Sequence, residues 1–400
     1  MRILFFANDI GGGNLLIPLA ERARQRKNAL FFLASGPSLR LWREKRYHPI
    51  ALTPAMSVAS IRSMLARIQP DIVVTGTSIG TKREHCIWAA ARMLPVPTLA
   101  MIDGWAKLPG RFPRRRDNRT MPNRVGVVDQ GTAQLLTKSC GLSPASIDII
   151  GHPHLQCTTQ QIGEARAGRS AGQPLKIGFF SSPLVNTEST PGLKAIELLL
   201  TILEQHLPIT LVIKPHSRES IQPWRDWLSS NVLRPWRTPL RLVNDISTMA
   251  LLSSVDAVIS LSDSVLLEAA FSGIPVLAIQ LGEASQHDNA AIETYLAGWI
   301  ARSPTALSAK VSALFDRIDR AAWLIESPVT RSADTRAMKA ISLAAVTLAC
   351  YDPTAITRAG RLPLWQKNPA SRSCLISAPA QWVARPGKPG RVRRYRSRRR

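Results

Sequence analysis

The chain has 400 residues, of which 45% are hydrophobic and 20% are charged, and its formal net charge is +25. This length and balance predict a soluble globular protein with room for two α/β domains, and no apolar run approaches the roughly 18 residues that span a bilayer. The five cysteines are scattered and form no Cys-x-x-Cys pair, which argues against a disulfide framework or a zinc site and predicts a cytoplasmic protein.

Strand-like and helix-like patterns alternate through the first half of the chain. Strands are predicted at ILFFAND, ALFFLAS, DIVVTG, PTLAMID and RVGVVD, with helices around Leu15–Lys27, Ser57–Ile68, Arg83–Leu94 and Thr132–Ser139. The N-terminal MRILFFANDI is predicted to be the first strand, because its apolar part is too short for a secretion signal. The alternation predicts βαβ units and a parallel sheet over residues 1–155.

A polar stretch with several glycines, TTQQIGEARAGRSAGQP, follows and predicts an interdomain linker at 156–174. The alternation then resumes over 175–350, with strands at LKIGFFSS, ITLVIKPH, LRLV, AVISLS and IPVLAIQ. The predicted fold class is therefore α/β, with two doubly wound, Rossmann-like domains that face each other across a cleft. Ligands of such sheets bind at the carboxyl ends of the strands.

The loop NDIGGGN after the first strand is the first candidate site. Its glycines allow the backbone to approach a ligand, so Gly12, Gly13 and Asn14 are predicted contacts, and Asp9 is the nearest acid. The G-x-G-x-x-G spacing is absent and no acid ends the second strand, which argues against a nicotinamide cofactor. A tight turn without a ligand is the alternative.

Two strand ends in the second half carry polar side chains. FFSSP contributes Ser181 and Ser182, and IKPH contributes Lys214 and His216. Strand ends at one edge of a parallel sheet lie side by side, and hydroxyls, an ammonium group and an imidazole suit a diphosphate. We expect His216 to stabilise the departing phosphate as well, although a lone histidine is more often structural.

The segment SDSVLLEAAFSGIPV is the third candidate. Ser262, Asp263 and Ser264 stand at the start of a predicted helix, where capping of its N–H groups would by itself explain them. Capping does not explain Glu268, which lies one turn further on in an otherwise apolar helix. A carboxylate there can accept hydrogen bonds from both hydroxyls of a vicinal diol.

The order of these motifs resembles the donor domain of GT-B glycosyltransferases: SxS, a glutamate, SGIPV, Q-x-x-N-A and L-x-x-W. The resemblance spans roughly residues 1–300. GGGNLLIPLA and IIGHPHL resemble the first domain of the N-acetylglucosaminyltransferase that makes lipid II and of lipid A disaccharide synthase. KPH and SDS resemble glycerophosphotransferases and capsule transferases, and UDP-N-acetylglucosamine 2-epimerases of the same fold.

The resemblance implies a nucleotide-sugar donor bound mainly by the second domain. The implied contacts are Glu268 to the ribose, Ser181 and Ser182 to the diphosphate, Gln286 and Asn289 to the donor sugar, and Gly12 and Gly13 to the phosphates or the acceptor. One position departs from the pattern, since Asn14 stands where a histidine often follows the glycines. An amide cannot be a general base, so the candidate bases are Asp103, Asp9 and Glu84.

The resulting prediction is a glycosyltransferase that moves a sugar from a nucleotide sugar to a cell-envelope glycan or a lipid-linked acceptor. The sequence shows no metal-ligand cluster, so no metal or other cofactor is predicted. Two alternatives stay open: a 2-epimerase or hydrolase of the same fold, and a relative that binds nucleotide sugars without catalysis.

The positive charge is concentrated near the C-terminus. Residues 351–400 hold 13 lysines and arginines against one acid, Asp352, and this composition predicts a disordered tail. The tail and the loop Arg111–Arg119, with Phe112 beside Trp105, suit an anionic membrane surface and predict peripheral association. The tail has no nucleic-acid motif, which makes nucleic acid an unlikely partner. A solvated segment is the alternative for both.

Overall fold

The structure is a computed structural model, which describes most of the first 349 residues. The described residues are 1–105, 107–113, 120–167, 175–181, 191–206, 208–216, 219–230, 236–261, 264–281, 290–319 and 333–349. Several predictions fall outside them, namely those for Ser182, Ser262, Asp263, Gln286, Asn289, residues 114–119 and the tail at 351–400.

The first sheet has seven parallel strands. They are β1 (Arg2–Ala7), β2 (Ala29–Ala34), β3 (Ile50–Ala51), β4 (Ile72–Thr75), β5 (Thr98–Met101), β6 (Arg124–Val127) and β7 (Ile147–Ile149). Their order is β3-β2-β1-β4-β5-β6-β7, so the chain reverses direction across the sheet between β1 and β4. The central strands β1, β4 and β5 are apolar and buried, as expected of a parallel sheet covered on both faces.

Five helices follow strands of the first sheet. They are α1 (Ile10–Gln25), α2 (Gly36–Glu44), α3 (Val58–Ile68), α4 (Arg83–Arg92) and α5 (Gln130–Cys140). Helix α1 begins five residues before its predicted start at Leu15, because Asp9 caps it and accepts a hydrogen bond from the Gly12 N–H at 2.8 Å. The glycines therefore form the first turn of a helix instead of the predicted loop. Helix α2 was not predicted.

The second sheet has six parallel strands, β8 (Leu175–Phe180), β9 (Ile209–Lys214), β10 (Leu240–Leu242), β11 (Ala257–Ser260), β12 (Val276–Ile279) and β13 (Ile300–Ala301). Their order is β10-β9-β8-β11-β12-β13. The helices around it are α7 (Pro191–Leu203), α8 (Gln222–Ser230), α9 (Thr248–Ser254), α10 (Val265–Phe271), α11 (Ala290–Leu296) and α12 (Pro304–Asp319). The predicted class, two doubly wound α/β domains, is confirmed. Within the described residues, no helix is long and apolar enough to cross a bilayer.

Two further helices, α6 (Pro153–Arg166) and α13 (Ala333–Ala349), lie near the predicted domain boundaries. The predicted linker at 156–174 is helical as far as Arg166, since Ile162 is fully buried in the core of the second domain. Helix α13, predicted within 175–350, instead packs on the first sheet, where Ala337 and Ile341 join its core. The chain thus crosses back to the first domain after α12.

The segment before residue 114 also differs from its prediction. A 3₁₀ turn covers Leu108–Arg111, and Arg111 is only 7% exposed. Phe112 is 3% exposed, and its ring stacks on Trp88 with 6.1 Å between the ring centroids. The prediction that Arg111 and Phe112 face a membrane is therefore wrong, because both side chains are buried in the first domain.

Two glycines bring α1 close to the end of β4, and this contact gives a first testable expectation. A Cβ on Gly76 would lie 2.9 Å from the Gly12 Cα, where only backbone could yield. We expect Gly76→Ala to lower the free energy of unfolding by about 1–3 kcal/mol, measured by urea denaturation. Gly163→Ala is the matched control, since its Cβ meets open space in α6. Gly163→Ala should raise the free energy of unfolding by up to about 1 kcal/mol. An equal loss of stability in both variants would contradict the packing argument.

Candidate functional site

A cavity of about 310 Å³ lies between the two sheets, and we call it the cleft cavity. The first domain and α6 line one side with Gly11, Asn14, Asp103, Gly104, Trp105, Arg111, His152, His154 and Leu155. The second domain lines the other with Ser264, Leu267, Glu268, Ala291 and Ile292. Four predicted site residues therefore meet in one cavity, namely Asn14, Asp103, Ser264 and Glu268. It lies beyond the carboxyl ends of β1, β5 and β11, where ligands of doubly wound folds bind.

Asp103 lies two residues after β5 and is held by charge. Its Oδ1 accepts a hydrogen bond from Arg111 Nη1, and the two side chains are 11% and 7% exposed. A Cβ on Gly11 would overlap with Asp103 Oδ2, so the glycine is what allows the carboxylate to approach the start of α1. The Arg111 guanidinium also donates to Thr77 O at 2.9 Å, which fixes its position. Asp103 is thus an oriented carboxylate at the wall of the cavity.

The other two glycines of the first loop do not reach the cavity. Gly12 is buried against Gly76, and a Cβ on Gly13 would lie 2.6 Å from Ser38 Oγ and 2.9 Å from a side-chain carbon of Leu41. Neither residue lines the cleft cavity, and the predicted ligand contacts of Gly12 and Gly13 stay predictions. Both residues are glycines because α1 packs closely on its neighbours, and Gly11 is the member of the three that faces the cavity.

Asp9 lies beneath the cavity wall as the cap of α1 and does not line it. Burial, and next the nearby Asp103 carboxylate, raise the pKa of Asp9, while the Gly12 N–H opposes this. Behind both acids lies Glu84, the third candidate base, which is 1% exposed. Its Oε1 accepts a hydrogen bond from Ser78 Oγ at 2.6 Å. Of the three candidate bases, Asp103 is the one in contact with the cavity.

Helix α10 supplies the facing side. Ser264 precedes its first residue and is exposed, but its hydroxyl makes no capping hydrogen bond to the helix. Glu268 is half-buried in the first turn of the helix, while Leu266, Leu267 and Ala269 around it are buried. Capping therefore does not account for Ser264, and both polar side chains border the cavity.

The side chains predicted to bind a diphosphate come together at the ends of two strands, but they do not line the cleft cavity. Ser181 and Lys214 end the paired strands β8 and β9, as predicted. A residue that the sequence analysis missed, Glu219, accepts from Ser181 Oγ at 2.8 Å and from the His216 N–H at 3.1 Å. Lys214 Nζ donates to Ile246 O at 2.7 Å, and burial lowers its pKa. A carboxylate at this point disfavours a diphosphate, and the predicted roles of Ser181, Lys214 and His216 stay predictions.

Several lining residues were missed, and the IIGHPHL motif was the signal for two of them. His152 caps α6, since its Nδ1 accepts from the Leu155 N–H at 3.2 Å, and its Nε2 therefore donates to Asp103 O at 3.1 Å. Burial lowers the pKa of His152, and it lowers the pKa of His154 to about 4. Both rings are thus neutral at pH 7, and His152 orients the backbone of Asp103.

Trp105 separates the cleft cavity from a second one of about 610 Å³, which we call the flank cavity. Leu108, Val128, Leu135 and Ile149 give the flank cavity much of its apolar lining. Tyr295 of the second domain and Gln130 add polar groups to its wall. The two cavities therefore adjoin at the loop that carries Asp103.

Asp129 joins the two domains at this wall. Its Oδ2 accepts from Trp105 Nε1 at 2.6 Å and from the Tyr295 hydroxyl at 2.7 Å, while its Oδ1 caps α5 through the Thr132 N–H at 2.7 Å. Burial by itself would raise the pKa of Asp129, but these hydrogen bonds together lower it below its usual value. An ionised Asp129 thus ties the Trp105 indole to the second domain.

Solved structures with the same fold include UDP-N-acetylglucosamine 2-epimerases and MurG. A UDP-N-acetylglucosamine 2-epimerase from Methanocaldococcus jannaschii is 11% identical at a TM-score of 0.63, covering 88% of this chain and 100% of its own. A 2-epimerase from Neisseria meningitidis, bound to UDP-N-acetylglucosamine, is 14% identical at a TM-score of 0.61. The match covers 86% of this chain and 100% of the epimerase. Acinetobacter baumannii MurG is 16% identical at a TM-score of 0.54, and the match covers 86% of this chain and 99% of MurG.

These likenesses establish the fold. The chain has the two-domain GT-B fold that the motifs of its sequence predicted. No protein-family model and no curated protein sequence matches the chain.

Proposed function

We propose that this protein binds a nucleotide sugar in the cleft cavity and transfers the sugar to a glycan or lipid-linked acceptor of the cell envelope. The observation that carries the proposal is the cavity itself. It places the oriented carboxylate of Asp103, from the first domain, opposite Glu268 and Ser264 of the second. Transfer from a nucleotide sugar needs a base for the acceptor hydroxyl and groups that bind the donor. Asp103 on one domain can be the base, and Glu268 on the other can accept hydrogen bonds from the ribose diol.

On the donor side, Glu268 would accept hydrogen bonds from the two ribose hydroxyls, and the Ser264 hydroxyl would contact the sugar or a phosphate. Solved structures of the same fold bind UDP or UDP-N-acetylglucosamine, which supports a uridine nucleotide as the first ligand to test. Asn14 and Gly11 lie on the first-domain side, where their amide and N–H groups can meet the donor sugar.

In the reaction, the acceptor hydroxyl would attack the anomeric carbon while Asp103 takes its proton. The bond from that carbon to the diphosphate breaks, and the nucleoside diphosphate leaves with the electron pair. Arg111 orients the Asp103 carboxylate, and His152 holds its backbone. The acceptor would enter from the flank cavity, because that cavity adjoins the Asp103 loop and offers an apolar wall to a lipid or aglycone.

A 2-epimerase or a hydrolase is the second candidate. It is favoured by the solved 2-epimerases that share the fold over most of this chain. Such an enzyme needs the same donor cavity and no acceptor, so its product would form from the nucleotide sugar alone. A protein that binds without catalysis is the third outcome.

A thermal-shift screen against UDP-, CMP-, CDP-, GDP- and dTDP-sugars tests the proposal. A ligand that binds only the native state at 100 times its Kd should stabilise it by about 2.7 kcal/mol, which is readily seen as a higher Tm. Chromatography then tests the reaction: release of nucleoside diphosphate only with a glycan acceptor supports transfer. Epimer or free sugar formed without acceptor would support the second candidate. No shift with any nucleotide sugar would overturn the donor site.

A further inference from the structure

A buried carboxyl group behind the cleft cavity has no role in the chemistry above. Glu84 is the second residue of α4 and is 1% exposed. Its Oε1 accepts a hydrogen bond from Ser78 Oγ at 2.6 Å, whereas its Oε2 is fully enclosed and has no hydrogen-bond partner in the described part of the chain. A charged oxygen in such a place is costly, because neither water nor a donor compensates it.

The charges around Glu84 are unbalanced. Asp9 reaches it from the start of α1, and Asp103 from the end of β5. Arg111 is the guanidinium of this cluster and is paired with Asp103. The next residue, His85, is neutral at pH 7 because burial lowers its pKa, and its Nε2 meets Arg111 O at 3.2 Å. Among the residues that the structure describes, three carboxylates would thus face one cation if all were ionised.

A neutral Glu84 reduces this imbalance. Burial first, and then Asp9 and Asp103, raise the pKa of Glu84 to about 7, although the Ser78 hydroxyl favours the ionised form. Loss of this proton adds one negative charge to the group of carboxylates near Asp103. The diphosphate of a nucleotide sugar is itself an anion, so each extra negative charge beside the cavity opposes its binding.

We propose that Glu84 holds a proton while the donor binds. The neutral Glu84 limits the negative charge that it, Asp9 and Asp103 together place beside the diphosphate. This inference rests on the proposed nucleotide-sugar site and adds a regulation of it. Loss of the proton as pH rises would weaken donor binding. Affinity should therefore be highest below about pH 7 and should fall above it.

Calorimetry with UDP-N-acetylglucosamine from pH 5.5 to 8.5 tests the proposal, since the diphosphate of this probe does not titrate in that range. For the unmodified protein we expect Kd to rise by about 3- to 10-fold and proton uptake on binding near pH 7. Glu84→Gln should bind with a Kd that does not follow pH. The matched control is Asp148→Asn, which removes a carboxylate paired with Arg124 and should keep the original pH profile.

Infrared spectroscopy gives a readout that needs no ligand. A protonated carboxyl band present at pH 6 should disappear by pH 8.5 and be missing from Glu84→Gln. If Glu84→Gln does not fold, Ser78→Ala serves instead, because loss of the donor to Oε1 should move the disappearance to higher pH. Absence of the band, or a Kd that still follows pH in Glu84→Gln, overturns the proposal. Failure of the probe to bind at any pH, with the band present, overturns the donor site instead.

Discussion

Asp103→Asn is expected to lower the rate of sugar transfer by about two to four decades, because an amide cannot take the proton of the acceptor hydroxyl. Donor affinity should not fall, since Glu268 and Ser264 lie on the opposite domain and the loss of a negative charge beside the cavity favours the anionic diphosphate. Single-turnover kinetics with a fixed acceptor measures the rate, and calorimetry of the nucleotide sugar measures the affinity. An unchanged rate would move the role of base away from Asp103.

The ion pair with Arg111 complicates this variant and also supplies its control. Asparagine leaves a buried guanidinium without its charged partner, which commonly costs about 3–5 kcal/mol of stability. The double variant Asp103→Asn/Arg111→Gln removes both charges, so much of that stability should return while the rate stays low. If the rate recovers together with stability, Asp103 is structural. A fall of rate and donor affinity together in both variants would lead to the same conclusion.

Glu268→Gln is expected to weaken donor binding by about 1.5–3 kcal/mol, or roughly one to two decades in Kd. Glutamine keeps one acceptor oxygen but loses the charge that would bind both ribose hydroxyls. Calorimetry of the nucleoside diphosphate against its 2′,3′-dideoxy analogue isolates this contact. The unmodified protein should prefer the diol, and Glu268→Gln should not.

Glu293→Gln is a suitable control for this measurement, because Glu293 is an exposed acid of the same domain that pairs with Arg302 at 2.5 Å outside the cleft cavity. It should leave the affinity and the preference for the diol unchanged. If Glu268 only packs α10, its substitution should shift stability by no more than about 0.5 kcal/mol and leave binding intact. Equal discrimination between diol and dideoxy ligand in both proteins would remove Glu268 from the donor site.

The flank cavity bears on the choice between transfer and epimerisation. Trp105 and Tyr295 are both hydrogen-bonded to Asp129, so the wall between the two cavities depends on contact between the domains. A transferase needs room for its acceptor beside the base, and under the proposed function the flank cavity would supply it. Acceptor-dependent release of nucleoside diphosphate is therefore the observation that decides the reaction.

The order of apolar runs and helical patterns was enough to predict two parallel sheets, because a strand buried on both faces needs a continuous apolar run. The position of Asp103 after a strand also predicted its location, since side chains that follow parallel strands collect at one edge of the sheet, and Asp103 lines the cleft cavity there. Glu268 stood out as the one acid in an apolar helix, and it does line the cleft cavity. These features depend on local pattern, which the sequence carries directly.

Other features depended on which distant segments meet. Gly12 and Gly13 resemble a ligand loop, but Gly76 and Ser38 come from other elements to fill the space beside them. Glu219 accepts hydrogen bonds from the Ser181 hydroxyl and the His216 N–H, both in the predicted phosphate-binding group, through a turn that the strand pattern did not reveal.

Arg111 and Phe112 have the composition of a membrane-facing loop, yet an ion pair and a ring contact bury them, and α13 returns to the first sheet against the order of the chain. Long-range packing decided these positions, because a side chain's role follows from its neighbours in space, and residues tens of positions apart supply those neighbours.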